Sequence, residues 1–295
     1  MNTLSSRKKK AAIAFILPAS AVLILFSIVP MAFSFCFSFM KYNTAMAAST
    51  IKFSGLSNYF KVLTDKSFQG SVIWTITFTI IVVILNLIIG MSLALALNSG
   101  LLPKLSFLLK TIFILPMMIA PIVTATIWKL IFSPIYGVLN QTLVYWGQER
   151  VNWFSEVIPA RIAIIMVETW ATTPLCMLIL MAALKTVPEE YIDAARIDGA
   201  SKVQTFISIV LPCIRNFIIL VTTMRFMDSI RMFDIVYNLT NGGPGTSTET
   251  LASTIYKMAF RYFDVGEGSA GAVVFFAIIA ALSVLFVNVF REKEV

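Results

Sequence analysis

The chain contains no histidine and few charged residues of any kind. Asp, Glu, Lys and Arg make up only 13% of its 295 residues, which is about half of what a soluble globular domain carries. The absence of histidine removes the commonest general acid–base group and the commonest zinc ligand. Hydrophobic residues make up 58% of the chain, and their runs are too long and too free of charge for a soluble core. The composition therefore predicts a membrane protein.

Cysteine is scarce as well. Cys36, Cys176 and Cys213 are widely spaced, and each lies in an apolar segment. Neither a metal-ligand spacing nor a disulfide framework follows, so we expect these residues to behave as small hydrophobic side chains. The sequence also offers no paired carboxylates and no nucleophile arrangement typical of a catalytic centre. We predict no catalytic residue, no metal site and no enzyme activity in this chain.

The basic residues indicate membrane topology. The net charge is +8, but the bases form no stripe with aromatic platforms, so nucleic-acid binding is not indicated. They lie mainly between apolar runs, as topology signals do. Segments of about 20 apolar residues can cross a bilayer. We predict an all-α membrane protein with six transmembrane helices, at approximately 11–39, 72–97, 105–132, 158–184, 206–227 and 269–290.

The N-terminus sets the predicted orientation. Four basic residues at 7–10 precede an apolar run of about 29 residues, far longer than the h-region of a secretory signal. We interpret this run as an uncleaved first span, kinked at Pro18 and Pro30. The basic cluster places the N-terminus in the cytoplasm, and six crossings return the C-terminus to the same side. The gaps at 98–104 and 185–205 are then cytoplasmic, and those at 41–71, 133–157 and 228–268 are extracytoplasmic.

Charged residues return in PEEYIDAARIDGASKVQTFISIVLP, residues 188–212. Pro188 suits the first position of a helix, and Glu189 and Glu190 complement the helix dipole in its first turn. Thr186 and Glu189 have the spacing of a capping box. Gly199 is expected to end this helix, after which a second helix leads into the fifth span.

One face of the first short helix is built from small residues. Tyr191, Ala194, Ala195 and Asp198 share that face, and the two alanines allow another surface to approach the backbone closely. An amphipathic helix of this kind suits a groove on a partner protein. A solvated loop helix explains the pattern equally well. Pro212 falls inside the rise into the fifth span and is expected to bend it.

The same stretch resembles the signature of the permease subunits of ATP-binding-cassette (ABC) importers. That signature reads Glu-Ala-Ala, three residues, Gly, nine residues, then Ile-x-Leu-Pro. Asp193, Ala194, Ala195, Gly199, Ile209, Leu211 and Pro212 match it in register. Asp193 replaces the glutamate, which keeps the charge and shortens the side chain by one methylene. We call residues 185–212 the signature loop.

Other segments resemble the carbohydrate-uptake branch of these permeases, with maltose-type and glycerol-3-phosphate-type permeases as the expected relatives. They are FSGLSNYF and the residues after it (53–79), LPMMIAPIV and the residues after it (115–140), and FDIVYNLTNGGPGTS and the residues after it (233–260). The resemblance implies a type I ABC importer fold, with an N-terminal segment, first span and outer loop at 1–67, a permease core at 68–290 and a cytoplasmic tail at 291–295.

The resemblance also implies partners and a mechanism. Such a permease pairs with a second, homologous permease, which we expect to be a different chain. The pair rests on two ATPase subunits and receives solute from an extracytoplasmic binding protein. The signature loop would dock in the ATPase through Glu189, Glu190, Asp193, Ala194, Ala195, Gly199 and Pro212. No cofactor is expected in this chain, since it lacks the P-loop pattern and its partners would bind ATP and Mg²⁺.

Polar groups inside spans are costly and mark a pathway or a partner contact. The candidates are Asn86, Glu168, Trp170, Thr172 and Arg225, with Asp228 just beyond the fifth span. Glu168 can accept sugar hydroxyls, and Trp170 offers a face to a sugar ring. Alternatively, Glu168 pairs with a base or amide of the partner permease. Asp228 is a gate, a docking contact or part of a solvated loop face. The glycines of NGGPGTS, at 241–247, predict an exposed, adaptable turn.

The predicted function is that of a multi-pass cell-membrane permease subunit that translocates a sugar or oligosaccharide. Glycerol-3-phosphate, a polyol or another small polar solute is the alternative within the same class. A stand-alone membrane enzyme is disfavoured by the missing catalytic residues. A secondary carrier is disfavoured because the chain shows no inverted repeat and few buried charges for coupling to an ion.

Overall fold

The computed structural model describes residues 14–46, 51–98 and 103–290. The predicted basic cluster at 7–10 and the tail at 291–295 lie outside the described residues. The chain divides into two compact units. The first comprises Met1–Asp65 and Ile255–Ile278, and the second comprises Lys66–Thr254 and Ile279–Val295.

The first unit begins with a long apolar helix. Helix α1 (Ala14–Ser38) contains a π-helical stretch at Ile24–Ile28, just before Pro30, whose missing N–H interrupts the normal bonding of the preceding turn. A two-stranded antiparallel sheet follows, with β1 (Met40–Lys41) paired to β2 (Lys52–Phe53), and then α2 (Ser57–Thr64). The apolar side chains of α1 are exposed along its length, as a lipid-facing span requires.

A buried asparagine ties these elements together. Asn58 of α2 donates from Nδ2 to the carbonyl oxygens of Ser38 (2.9 Å) and Met40 (2.8 Å). At the start of the last helix, Lys61 Nζ lies 2.6 Å from Glu267 Oε1. The Glu267 carboxylate, chiefly through this hydrogen bond, raises the pKa of Lys61 above its usual value.

The second unit is organised by two long helices. Helices α3 (Lys66–Asn98) and α7 (Val157–Leu184) form the most extensive helix pair in the described structure. Along α3 the buried positions Phe78, Val82, Asn86, Gly90 and Ala94 recur every four residues, which places them in one stripe. These two helices, α1 and the final helix are long and apolar enough to cross a membrane, so the predicted first, second, fourth and sixth spans are confirmed.

The predicted third span is not one straight helix. Helix α4 (Pro103–Ile114) passes through a 3-10 turn at Leu115–Met118 to α5 (Pro121–Ile131), and the direction of the chain changes by 104°. Pro121 forces the residue before it out of the helical region, and Ala120 accordingly has φ −59° and ψ 139°. The prediction of a continuous span was wrong here because the proline sits between two apolar runs that hydropathy alone joins.

The predicted fifth span is also bent. Helix α8 (Glu189–Ile197) is followed by α9 (Lys202–Cys213), which is π-helical at Phe206–Val210, and then by α10 (Arg215–Ser229) at 70° to α9. The break falls at Ile214, with φ −97° and ψ 8°, two residues after Pro212. Pro212 has no N–H for the preceding turn, so the predicted bend is confirmed.

Four further helices lie in the described residues. They are α6 (Val138–Tyr145), α11 (Asp234–Leu239), α12 (Leu251–Tyr256), which continues into a π-helical turn at Lys257–Arg261, and α13 (Val265–Phe290).

Two apolar cores lie one after the other along α7. The first includes Trp74, Phe78, Val82, Ala125, Phe132, Ala163, Ile164, Val167, Ile235, Val236 and Leu239. The second includes Ala94, Met177, Leu180, Ala183, Leu184, Val187, Val210 and Ile214. Between them, from residue 168 to residue 176, α7 carries its buried polar side chains. The buried polar side chains of α7 therefore lie at one level of that helix, between the two cores.

Candidate solute path and signature loop

A buried ion pair joins the two helices that flank the signature loop. Glu168 Oε1 of α7 lies 2.9 Å from Arg225 Nη2 of α10, and the two residues are only 3% and 4% exposed. Arg225 also reaches Asp228 Oδ2 at 3.3 Å, and Asp228 Oδ1 lies 3.4 Å from Arg231 Nη2. The base that faces Glu168 therefore belongs to this chain, which differs from the alternative in which a partner permease supplies it.

Asn86 is a residue of α3, and its side chain contacts α7. It is fully buried, its Nδ2 donates to Thr172 Oγ1 at 3.0 Å, and its Oδ1 accepts from Thr173 Oγ1 at 2.9 Å. We call Asn86, Glu168, Thr172 and Arg225 the polar layer. Four of the predicted path residues thus meet at one level of the structure, and Asp228 joins them through Arg225.

A small cavity opens onto this layer. It has a volume of about 250 Å³ and is lined in part by Thr124, Glu168, Thr172 and Arg225. Thr124 Oγ1 and Arg225 Nε are buried and have no hydrogen-bond partner among the described residues. Because a buried polar atom without a partner costs about 1–3 kcal/mol, these two atoms are unused hydrogen-bonding groups on residues that line the cavity.

Trp170 lies on a different side of α7. It lines a larger, apolar cavity of about 810 Å³ together with Thr169 and Thr173. It packs edge-to-face against Trp128, with ring centroids 5.5 Å apart at 73°. Two residues along a helix are about 200° apart around its axis, so closeness in sequence to Glu168 does not bring Trp170 into the polar cavity. The structure does not unite these two predicted path residues.

The signature loop begins differently from the prediction. Pro188, with φ −62° and ψ 132°, is the residue before α8 and not its first residue. Thr186 Oγ1 donates to the Ala183 carbonyl at 2.8 Å, and no side chain caps α8. The predicted capping box at Thr186 and Glu189 is therefore wrong. Thr186 lies two residues after the end of α7, whose last carbonyls lack partners within the helix and attract its hydroxyl.

A capping box does form at the next helix. Ser201 Oγ accepts from the Gln204 backbone N–H at 3.3 Å, and Gln204 Oε1 accepts from the Ser201 backbone N–H at 2.8 Å. This reciprocal pair starts α9. The start of α9 is thus set by residues next to it in sequence, independently of how α8 begins.

Gly199 makes the corner between them. Its φ is +77°, the left-handed conformation that glycine adopts at little cost. Its N–H donates to the Arg196 carbonyl at 3.1 Å, and the Ala200 N–H donates to the Ala195 carbonyl at 2.9 Å. These are the two hydrogen bonds of a Schellman motif. The predicted helix stop at Gly199 is confirmed.

The open face of α8 differs in one residue from the prediction. Glu189, Glu190, Tyr191, Ala194 and Asp198 are exposed, as is Asp193, which lies 2.9 Å from Arg196. Ala195 is only 5% exposed, because it packs against the chain's own interior. Ile197 was not among the residues predicted for this exposed face, although its side chain is 87% exposed. A lone apolar residue beside the glycine corner is the signal that marks it.

The loop that contains NGGPGTS is hydrogen-bonded to its own side chains and to α7. Thr248 is fully buried and donates from Oγ1 to the Gly243 carbonyl at 2.7 Å. Arg161 of α7 donates from Nε to the Ser247 carbonyl at 3.0 Å, and its guanidinium stacks 4.4 Å above the Trp74 ring. Gly245 and Thr246 remain exposed at the tip. The turn is therefore less exposed than predicted, because threonine side chains bond to its backbone and bury part of it.

The chain has relatives along its whole length. It is 35% identical to the trehalose/maltose transport system permease protein MalF of Thermococcus litoralis, over 99% of this chain and 97% of that protein. It is 30% identical to the trehalose transport system permease protein SugA of Mycobacterium tuberculosis, over 97% of this chain and 91% of that protein.

Solved structures share the fold. A bacterial alginate ABC transporter, crystallised in complex with an alginate pentasaccharide-bound periplasmic protein, has a chain that matches with a TM-score of 0.85 at 19% identity. The match covers 97% of this chain and 95% of that one. The MetNI methionine ABC transporter, in an inward-facing conformation, matches with a TM-score of 0.55 at 15% identity, over 75% of this chain and 93% of that one.

The family assignment rests on the region that contains the polar layer and the signature loop. The family model for the binding-protein-dependent transport system inner membrane component matches residues 86–292. The predicted resemblance, the type I importer fold and the role as a transport subunit are confirmed. The chain belongs to the inner-membrane components of binding-protein-dependent transport systems, and it is a multi-pass permease subunit of an ABC importer rather than an enzyme.

Proposed function

We propose that this chain is the membrane path for a neutral sugar or oligosaccharide in a carbohydrate importer. It pairs with a second, homologous permease on two ATPase subunits that bind ATP and Mg²⁺, and an extracytoplasmic binding protein delivers the solute. Both termini are cytoplasmic in this arrangement, and residues 68–290 form the permease core. The names of the relatives, which refer to trehalose and maltose, support the solute class.

The charge balance of the polar layer is the observation that carries the solute class. Two carboxylates, of Glu168 and Asp228, surround the Arg225 guanidinium, and Arg231 is already engaged by Asp228. Positive and negative charges therefore cancel at this level. A phosphate monoester such as glycerol-3-phosphate requires cationic groups that are not already neutralised. A neutral polyhydroxy solute requires only hydrogen-bonding atoms, and Thr124 Oγ1 and Arg225 Nε supply two of them.

The connectivity supports coupling between this layer and the ATPases. Glu168 lies on α7, which leads into the signature loop, and Arg225 lies on α10, which follows it. A displacement of the loop by the ATPases is thus transmitted along both helices to the two members of the ion pair. The exposed acids and Tyr191 of α8, the corner at Gly199 and the bend after Pro212 form the transmitting segment.

Uptake by the complete importer, reconstituted in proteoliposomes, tests the solute class. We expect saturable, ATP-dependent uptake of a neutral disaccharide such as trehalose or maltose, and no uptake of glycerol-3-phosphate. Glu168→Gln should raise the KM for the sugar about tenfold, because loss of the carboxylate changes both the hydrogen bonding and the charge at the cavity. A sugar KM and rate equal to those of the unaltered protein would remove Glu168 from the path.

A paired variant separates recognition from folding. Removal of one member of a buried ion pair costs about 3–5 kcal/mol because the other charge is left unpaired, so Glu168→Gln alone also lowers the yield of folded complex. The double variant Glu168→Gln/Arg225→Gln removes both charges and is expected to restore the yield while the KM stays high. If both yield and KM return to normal, the pair serves stability and not solute recognition.

A further inference from the structure

Asn86 occupies an unusually tight contact between α3 and α7. One turn further along α3, a Cβ added to Gly90 would lie 2.9 Å from Cys176 Cβ and 3.2 Å from the Met177 backbone nitrogen. The two helices therefore approach closely next to Asn86. Apolar residues pack on both sides of this level. A carboxamide in such a dry contact is unfavourable unless its polar atoms are paired.

The pairing of the carboxamide follows from the protons available. Thr172 Oγ1 has one proton and lies 2.7 Å from the Glu168 carbonyl oxygen, so it donates there and accepts from Asn86 Nδ2 at 3.0 Å. Thr173 Oγ1 also has one proton and two acceptors within reach, Asn86 Oδ1 at 2.9 Å and the Thr169 carbonyl oxygen at 2.7 Å. The amide thus gives one hydrogen bond to Thr172, and its oxygen shares the Thr173 proton with the Thr169 carbonyl. The hydrogen bond to Thr172 sets which way the amide faces.

The two threonines face different spaces. Thr172 lines the polar cavity with Glu168 and Arg225, whereas Thr173 lines the large apolar cavity. Asn86 itself is not among the described residues that line either cavity. Its contact with the solute cavity is therefore indirect and passes through the Thr172 hydroxyl, which is also hydrogen-bonded to the backbone of Glu168.

We infer that Asn86 is a positioning residue for solute recognition and that it acts through Thr172. The carboxamide holds the Thr172 hydroxyl and the adjoining turn of α7 in the orientation that presents Glu168 to the cavity. Because the helices already pack through small residues at Gly90 and Ala94, adhesion between them does not require an amide at this position. This inference rests on the proposed solute path.

A double-mutant cycle in the reconstituted importer tests the inference. Asn86→Leu keeps the approximate shape of the side chain and removes both hydrogen bonds, and Thr172→Val removes the hydroxyl that Asn86 is inferred to orient. We expect each to raise the sugar KM about fivefold, as the loss of one hydrogen bond to recognition implies. Since they remove the same interaction, the double variant should show no larger effect than either single variant.

Thr173→Val is the matched control. It breaks the other hydrogen bond of the same amide but alters a residue outside the polar cavity, so the KM should stay within about twofold of its normal value. Uptake is measured as KM and as maximal rate per assembled complex, beside the thermal stability of the complex. A role confined to holding helices together lowers stability or assembly in all three single variants and leaves the KM unchanged.

The KM values of these variants distinguish failure of the Asn86 inference from failure of the proposed solute path. Unchanged KM in Asn86→Leu, or fully additive effects of Asn86→Leu and Thr172→Val, would overturn the inference. If Glu168→Gln raises the KM while Asn86→Leu does not, the solute path survives and only the role of Asn86 is lost. If Glu168→Gln leaves the KM unchanged, Glu168 leaves the path, and the inference that Asn86 presents Glu168 to the cavity is overturned with it.

Discussion

Substitutions at Gly199 test whether its left-handed backbone conformation is needed for coupling to the ATPases. The substituted residues are chosen because they adopt that conformation with different ease. Gly199 has φ +77°, and no atom lies within 4 Å of the position that a Cβ would occupy. A side chain there meets no steric obstacle among the described residues, so the cost of a substitution is conformational. For an L-residue in the left-handed region that cost is about 1–2 kcal/mol, which shifts a two-state equilibrium roughly 5- to 30-fold.

The expected result is an ordered series. Gly199→Asn should be nearly silent, since asparagine enters the left-handed region more readily than other non-glycine residues. Gly199→Ala should be intermediate, and Gly199→Val should be the most harmful because it is β-branched. The measurement is binding-protein-stimulated ATP hydrolysis by the reconstituted importer, with sugar uptake measured in parallel. Loss of the corner should lower uptake more than basal ATP hydrolysis, because the two helices then no longer transmit ATPase movement to the spans.

Two results would refute this reasoning. If Gly199→Val shows normal stimulation and normal uptake, the corner is not needed for coupling. If Gly199→Asn is as harmful as Gly199→Val, the position is sensitive to any side chain, and a close contact with a partner, not backbone conformation, explains the glycine.

Three further variants test the surrounding structure. Ser201→Ala removes the capping box of α9 and should cost about 1 kcal/mol, seen as faster hydrogen exchange in that first turn, and unchanged exchange would contradict the cap. Gly90→Ala forces α3 away from the facing helix and should cost about 1–3 kcal/mol of thermal stability, whereas Gly70→Ala, where no atom lies within 4 Å, should be neutral or stabilising. Lys61→Met should cost about 0.5 kcal/mol or less, since the pair with Glu267 is half exposed and screened. The pKa of Lys61 is raised in the folded state, so this contribution is present at pH values below about 10.4 and is lost as the pH rises further; a salt-independent effect would argue against the ion pair.

Local signals were sufficient for much of this architecture. A span must be about 20 apolar residues long because lipid satisfies no backbone polar group, and this requirement alone identified α1, α3, α7 and α13. The resemblance in the signature loop identified the family, and the lone glycine predicted the corner at Gly199. These features depend on residues close together in sequence, so a single sequence contains the information.

Competing local signals were decided by the tertiary structure. Thr186–Glu189 and Ser201–Gln204 have the same capping-box spacing, yet only the second pair forms. The end of α7, which depends on how that helix packs, supplies a carbonyl that Thr186 bonds instead. The 104° turn between α4 and α5 likewise lies in a run of uniformly apolar residues, where hydropathy carries no information about direction.

By itself, the sequence determined that the chain is a multi-span membrane permease, which of its residues are polar within the spans, and where the loop with the ABC importer signature lies. Only the tertiary structure decided how those polar residues combine. Glu168 and Arg225 are 57 positions apart, and they meet because α7 and α10 pack with those faces together. The same rotation of α7 turns Trp170 away and places Asn86 behind Thr172. The physical reason is that burial makes every unpaired polar group costly, but the identity of its partner depends on helix rotation and separation, which long-range packing alone sets.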